Sequence, residues 1–126
     1  MPDENYPLPL IGTEQTIHIP VSFETGELGE IPLPKLPYRV KLKRVDHVVT
    51  KALAATNDGR VTVKKGSTTL ATVTVAASAA IGEEDTESNP TGTPFETSDQ
   101  IRVLTAKANA GGKGLLALVL EILPSH

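Results

Sequence analysis

Over most of this chain, hydrophobic and polar positions alternate with the two-residue period of a half-buried β-strand. The clearest case is residues 60–80, RVTVKKGSTTLATVTVAASAA. Val61, Val63, Leu70, Val73 and Val75 supply the apolar residues, Thr and Lys lie between them, and Lys65-Gly66-Ser67 interrupts the run. This predicts two strands joined by a tight turn. Residues 16–23, TIHIPVSF, put Ile17, Ile19, Val21 and Phe23 on one face and Thr16, His18, Pro20 and Ser22 on the other. Pro20 has no N–H to offer a neighbour, so this strand belongs at a sheet edge. Residues 38–50 read as a long strand with Arg39, Lys41 and Lys43 opposite Val40 and Leu42. Its phase changes at Lys43-Arg44-Val45, as a β-bulge would change it. Residues 100–106 and 115–123 read as a closing hairpin across KANAGGKG. In the second of these, Leu116, Leu118, Leu120 and Ile122 alternate with Leu115, Ala117, Val119 and Leu123. A strand apolar on both faces suits a central or subunit-contact position.

The connecting segments carry different signals. Residues 1–14 hold Pro2, Pro7 and Pro9, which fix φ and remove donors, so an extended arm is expected. Residues 24–37, ETGELGEIPLPKLP, read as a Gly/Pro linker whose Ile31, Leu33 and Leu36 lie along a hydrophobic groove. Asn57-Asp58-Gly59 is a turn signal. Residues 82–99 read as a long acidic loop anchored by Phe95, and a loop of this length is commonly functional. Six or seven short strands with turns between them predict an all-β chain: a small antiparallel β-sandwich, jelly-roll-like, with an extended Pro-rich N-terminal arm. The expected division is an arm with one edge strand over 1–37 and a sandwich over 38–126.

Composition narrows the picture. The chain has 126 residues, which suits one core. With two Tyr, two Phe and no Trp, that core is aliphatic. No cysteine is present, so neither a disulfide nor a thiolate metal site contributes. The acidic, proline-broken start lacks the basic region of a signal peptide. No apolar run approaches the roughly 20 residues that span a bilayer, so no membrane partner is expected.

The net charge of −3 conceals segregation. Residues 1–30 carry −6, residues 35–65 carry +7, and the remainder −4. Charge divided in this way can steer association between unlike surfaces.

Tests for chemistry fail. Ala110-Gly111-Gly112-Lys113-Gly114 lacks the earlier Gly and the following Ser or Thr of a phosphate loop. Asp46 and His47 are strand neighbours and point to opposite faces. His18 and His126 have no partners at ligand spacing, and the acidic run at Glu83, Glu84, Asp85 and Glu87 lacks the spacing of a calcium loop. The basic strand has only Tyr38 for stacking, so no nucleic-acid partner is expected. The expectation is no enzyme, no cofactor, no catalytic residue and no metal site.

From Tyr38 onward, the order of segments resembles the small decoration (cement) proteins of tailed-bacteriophage capsids. That order is the basic strand YRVKLKRVDHVVTKAL, the turn TNDGR, the hairpin VTVKKGSTTLATVTVAASAAIG, the acidic loop and the closing SDQIRVLTAKANAGGKGLLALVLEIL. The resemblance implies a β-sandwich homotrimer bound to the major capsid protein on the outer surface of a virion and assembled in the host cytoplasm. The implied interface residues are Leu116, Leu118, Leu120 and Ile122 for self-association. Arg39, Lys41 and Lys43 would contribute charge complementarity, and Ile17, Ile19 and Val21 the edge strand. Strand–turn repeats of this composition also suit a phage tail, fibre or head-fibre adhesion module, and a non-viral β-sandwich scaffold domain.

Overall fold

The computed structural model describes residues 11–124. Their strands are β1 (Glu14–Ser22), β2 (Gly29–Pro32), β3 (Val40–Lys51), β4 (Gly59–Lys65), β5 (Thr68–Val75), β6 (Glu84–Glu87), β7 (Ile101–Ala106) and β8 (Lys113–Ile122). They form two four-stranded sheets, of order β1-β8-β3-β6 (sheet A) and β2-β7-β4-β5 (sheet B). Every pairing is antiparallel. The pairings nest: β4 with β5, β3 with β6, β2 with β7, β1 with β8. One long hairpin, folded at the β4–β5 turn and rolled so that successive rungs fall alternately in the two sheets, generates this order. It is a jelly roll.

Local sequence explains how the rolls are trimmed. The β4–β5 turn uses two residues, with Lys65 opposite Thr68. Gly66 at φ 60° takes the sign that a type II′ turn requires at its first central position. In β3 the register slips between Leu42 and Arg44, leaving Lys43 unmatched. The bulge lets Val40 and Leu42 point inward before it and Val45, His47 and Val49 after it. A second slip leaves Leu70 without an opposite residue on β4, so Leu70 and Ala71 are buried in succession.

Between the sheets lies an aliphatic core closed at each end by a phenylalanine. Phe95 makes a two-way backbone bridge to Val40 at one end. Phe23 fills the other, fully buried, with its ring edge-on to His47 at a centroid separation of 6.1 Å. Two glycines make room for these rings. A Cβ at Gly59 would stand 2.9 Å from Phe23 Cε1, and one at Gly114 would stand 1.9 Å from His47 Nε2.

Three sequence readings change. Residues 100–106 and 115–123 are not a hairpin: β7 lies in sheet B and β8 in sheet A, so the Gly-rich link crosses between sheets. The supposed linker contains β2, and the supposed acidic loop contains β6. The boundary at residue 37 falls inside the sandwich, because β1 and β2 give one edge strand to each sheet and Ile19, Val21 and Phe23 belong to the core. Of the arm expected over 1–14, residues 1–10 lie outside the described residues, and the rest is tied to β8 through Gly12, Thr13 and the start of β1.

Replacing Gly114 by Ala drives a methyl into the His47 ring. Overpacking of this kind costs about 1–3 kcal/mol, read as a lowered denaturation midpoint. In a His47→Ala background the same change costs less, because the obstructing ring is gone; equal costs in both backgrounds would disprove the contact.

Candidate functional surfaces

The ten residues singled out for contact do not form one surface. Leu116, Leu118 and Leu120 are fully buried and Ile122 is 8% exposed; all four point from β8 into the core. They are a correction: a side chain enclosed by its own chain has no surface left for a second copy. Ile19 and Val21 are likewise buried, and Ile17 packs half-buried against the core opposite Leu118. Arg39 is held by Glu96 at 2.9 Å and by the carbonyl of Pro124. Lys43 pairs with Glu121 at 3.3 Å, and Lys41 lies opposite Glu121 in the β3–β8 register.

Part of the segregated charge is thus neutralised inside the chain. Arg44 pairs with Asp46, Lys51 with Glu24, Lys65 with Asp99 and Arg102 with Glu30. Partly exposed pairs of this kind contribute about 0–1 kcal/mol each. Their larger effect is to cancel the field that the linear charge pattern suggests.

Sheet A presents a depression of about 250 Å³ on its outer face, lined by His18, Asp46, His47, Val48, Glu84, Leu115 and Ala117. The register explains it. His18, Ala117, Asp46 and Thr86 share one cross-strand row, and Pro20, Leu115, Val48 and Glu84 the next. Ala117, the smallest side chain, leaves the dip between its neighbours. Thr86 donates its hydroxyl to Asp46 at 2.8 Å, which ties the floor to β6. Among the described residues, no group of three or more His, Asp or Glu is placed to hold a metal ion. No helix of the described residues is long and apolar enough to cross a membrane.

At the Phe23 end, loops from both sheets are laced together. Phe23 donates to the Gly112 carbonyl and accepts from Gly111 N–H, Ala54 donates to the Gly111 carbonyl, and Leu53 donates to the Ala79 carbonyl. Lys107, only 6% exposed, reaches two carbonyls, Thr56 at 3.0 Å and Asn109 at 2.6 Å. These bonds answer the charge of a buried ammonium without a carboxylate. Glu24 caps Gly112 N–H at 2.6 Å, and this backbone bond, helped by Lys51, holds its carboxyl below the usual range. Nothing in the sequence marks Lys107 or Glu24, since the Thr56 carbonyl, the Gly112 N–H and Lys51 that they meet are distant along the chain.

Among the described residues, His47 is the one buried imidazole, and neither of its ring nitrogens has a hydrogen-bond partner there; the ring is 1% exposed. Burial lowers its pKa; the facing carboxylate of Asp85, opposite it in the β3–β6 register, opposes this without overcoming it. The sequence expectation that Asp46 and His47 face apart holds: Asp46 is on the outer face and His47 inside.

Comparison of the sequence with protein-family models returns no match, and neither does comparison with curated proteins. Solved structures match in fold. A chain of the cyanophage Pam1 capsid asymmetric unit superposes with a TM-score of 0.52 at 17% identity, covering 94% of this chain and 90% of that one. The Drosophila NLP core, whose structure bears on pentamer formation and histone binding, gives 0.51 at 9% identity, covering 90% of this chain and 100% of that one. Both likenesses establish the shared sandwich architecture.

The buried imidazole sets a pH dependence. The unfolded chain takes up a proton near pH 6.5 while the folded chain does so lower. Stability is therefore unaffected above about pH 6.5 and falls as pH drops from there toward the folded pKa, by at most about 1.4 kcal/mol per pH unit. Denaturant melts at pH 7 and pH 5 measure it. In His47→Phe this part of the slope disappears; an unchanged slope would assign the effect to other groups.

Proposed function

We propose that this chain is a virion structural protein that decorates the outside of a tailed-phage head as a homotrimer and reinforces it. The observation that carries this reading is the end-to-end match of its jelly roll to a chain of a phage capsid asymmetric unit. The order of basic strand, hairpin, acidic segment and closing strands supports it. The described residues offer two sheet faces and a loop end laced by hydrogen bonds, which suits a mechanical role.

In this reading each trimer spans a joint between neighbouring capsid subunits and adds contact area there. β1 lies at the edge of sheet A, so its outer rim is open to a further strand. Residues 1–10, rich in proline and acid, are the strap that such a subunit would lay on its neighbour or on the shell. Pre-extended prolines lower the ordering cost of such a contact.

The likeness to the NLP core favours a second reading, an oligomeric scaffold domain of non-viral origin. A binding experiment separates the two. Shells are assembled from the major capsid protein of the phage that the first reading assigns to this chain, and purified chain is added. The first reading predicts saturable binding and a higher temperature of shell disruption. Absence of binding to intact shells would overturn it.

The strap has its own test. Gly12 donates to the Ile122 carbonyl at 2.7 Å and Thr13 accepts from Ile122 at 2.9 Å, so removal of residues 1–10 leaves the β1–β8 pairing whole. The truncated chain is expected to melt within a few degrees of the full chain while its shell affinity falls several-fold. Unchanged affinity would remove the strap from the account.

A further inference from the structure

Among the described residues, several charged side chains are in no ion pair, and two sets of them, of opposite sign, lie along single strands on different parts of the molecule. The first is on the outer face of sheet B. Its cross-strand rows read Thr74–Arg60–Ala106, then Thr72–Thr62–Leu104–Glu30, then Thr69–Lys64–Arg102. Arg60 is exposed and Lys64 half-buried, and neither is in an ion pair. They lie four residues apart on one strand, about 13 Å. Arg102 adds a third cation beside them, shared with Glu30, the one carboxylate of these rows. Short Thr side chains lie between the cations, and a depression lined by Asn57, Asp58, Arg60, Ala106, Lys107 and Ala108 adjoins the Arg60 end.

The second group is β6. It forms the free rim of sheet A, pairing with β3 on one side only. Glu84 is exposed and Asp85 and Glu87 are half-exposed, and none of the three is in an ion pair. Their strand spans about 10 Å, a length comparable to the row of cations.

The basic face belongs to sheet B and the acidic rim to sheet A, so one copy leaves both unpaired. Two copies can pair them. We propose that copies of this chain associate head to tail, with the outer face of sheet B of one seated against the β6 rim of the next. Arg60, Lys64 and Arg102 then meet the rim end-on, between Glu84 on its outer side and Asp85 and Glu87 on its inner side. A heterologous contact of this kind closes into a ring when its rotation closes. The inference rests on the self-associating reading above and specifies the surfaces that accomplish it. The laced loop end stays outside the contact and free for a shell, while the depression on sheet A adjoins the contact through Glu84.

Charge exchange tests this on the full chain, with mass read by sedimentation velocity at low salt. Wild type is expected to sediment as a closed multiple of the chain mass and to dissociate as salt rises, since partly exposed charges are screened. Arg60→Glu/Lys64→Glu should give single chains, and so should Glu84→Lys/Glu87→Lys. The fourfold variant, which exchanges the signs on both surfaces, should assemble again.

A wild type that stays single up to its solubility limit would overturn the proposal. So would either double variant assembling as wild type does, or a fourfold variant that folds by circular dichroism and stays single. If a variant fails to fold, the salt dependence of the wild-type mass decides: a mass unaffected by salt excludes a contact built on these charges. Shell binding by the single-chain variants separates this outcome from the proposed function, because decoration without ring formation would leave that function standing.

Discussion

Everything in this fold depends on how β8 is enclosed. It is flanked by β1 along nine register positions and by β3 on its other side, and it carries Leu116, Leu118, Leu120 and Ile122 into the core. Because β1 and β8 lie at opposite ends of the sequence, enclosing β8 commits the whole chain to rolling up. The long pairings then force β2 onto β7 and β3 onto β6. The aliphatic residues gathered between the sheets supply the main driving force, at about 25 cal/mol per Å² of apolar surface buried. A small, aromatic-poor chain can afford few gaps in such a core, which explains the glycine notches at Gly59 and Gly114 beneath Phe23 and His47.

Where a residue's role is set by its own alternation, it was legible. The β4–β5 hairpin, the edge character of the strand holding Pro20, the β3 bulge and the anchoring by Phe95 all follow from local pattern. β2 and β6 were hidden for a physical reason. Each has four residues, one contains Pro32, and the other is Glu-Asp-Thr-Glu, with no apolar residue to alternate. Both exist because a longer strand, β7 or β3, offers them an edge. The misassigned β7–β8 hairpin has a similar origin. A Gly-rich link between two apolar strands looks the same whether it turns within a sheet or crosses to the other.

The candidate surfaces were less legible than the fold. Apolar residues that look like interface in a one-dimensional pattern became core, because β8 is central. Charges that look segregated along the chain are paired across it, as with Arg39 and Glu96 or Lys51 and Glu24. The proposed association draws on charge left unpaired after folding, on β4 and β6, which linear counting cannot isolate. The buried, unpartnered imidazole of His47 is another product of topology. Only the phase shift at the bulge and the gap over Gly114 place it inside.

The central claim is that this jelly roll acts from its outer surfaces, on the exterior of a shell. Image reconstruction from electron micrographs of such shells, with and without added chain, tests it most directly. The account predicts added density on the outside, in clusters of three sandwiches over the joints between capsid subunits. Shells identical with and without the chain, or density confined to a tail, would contradict it.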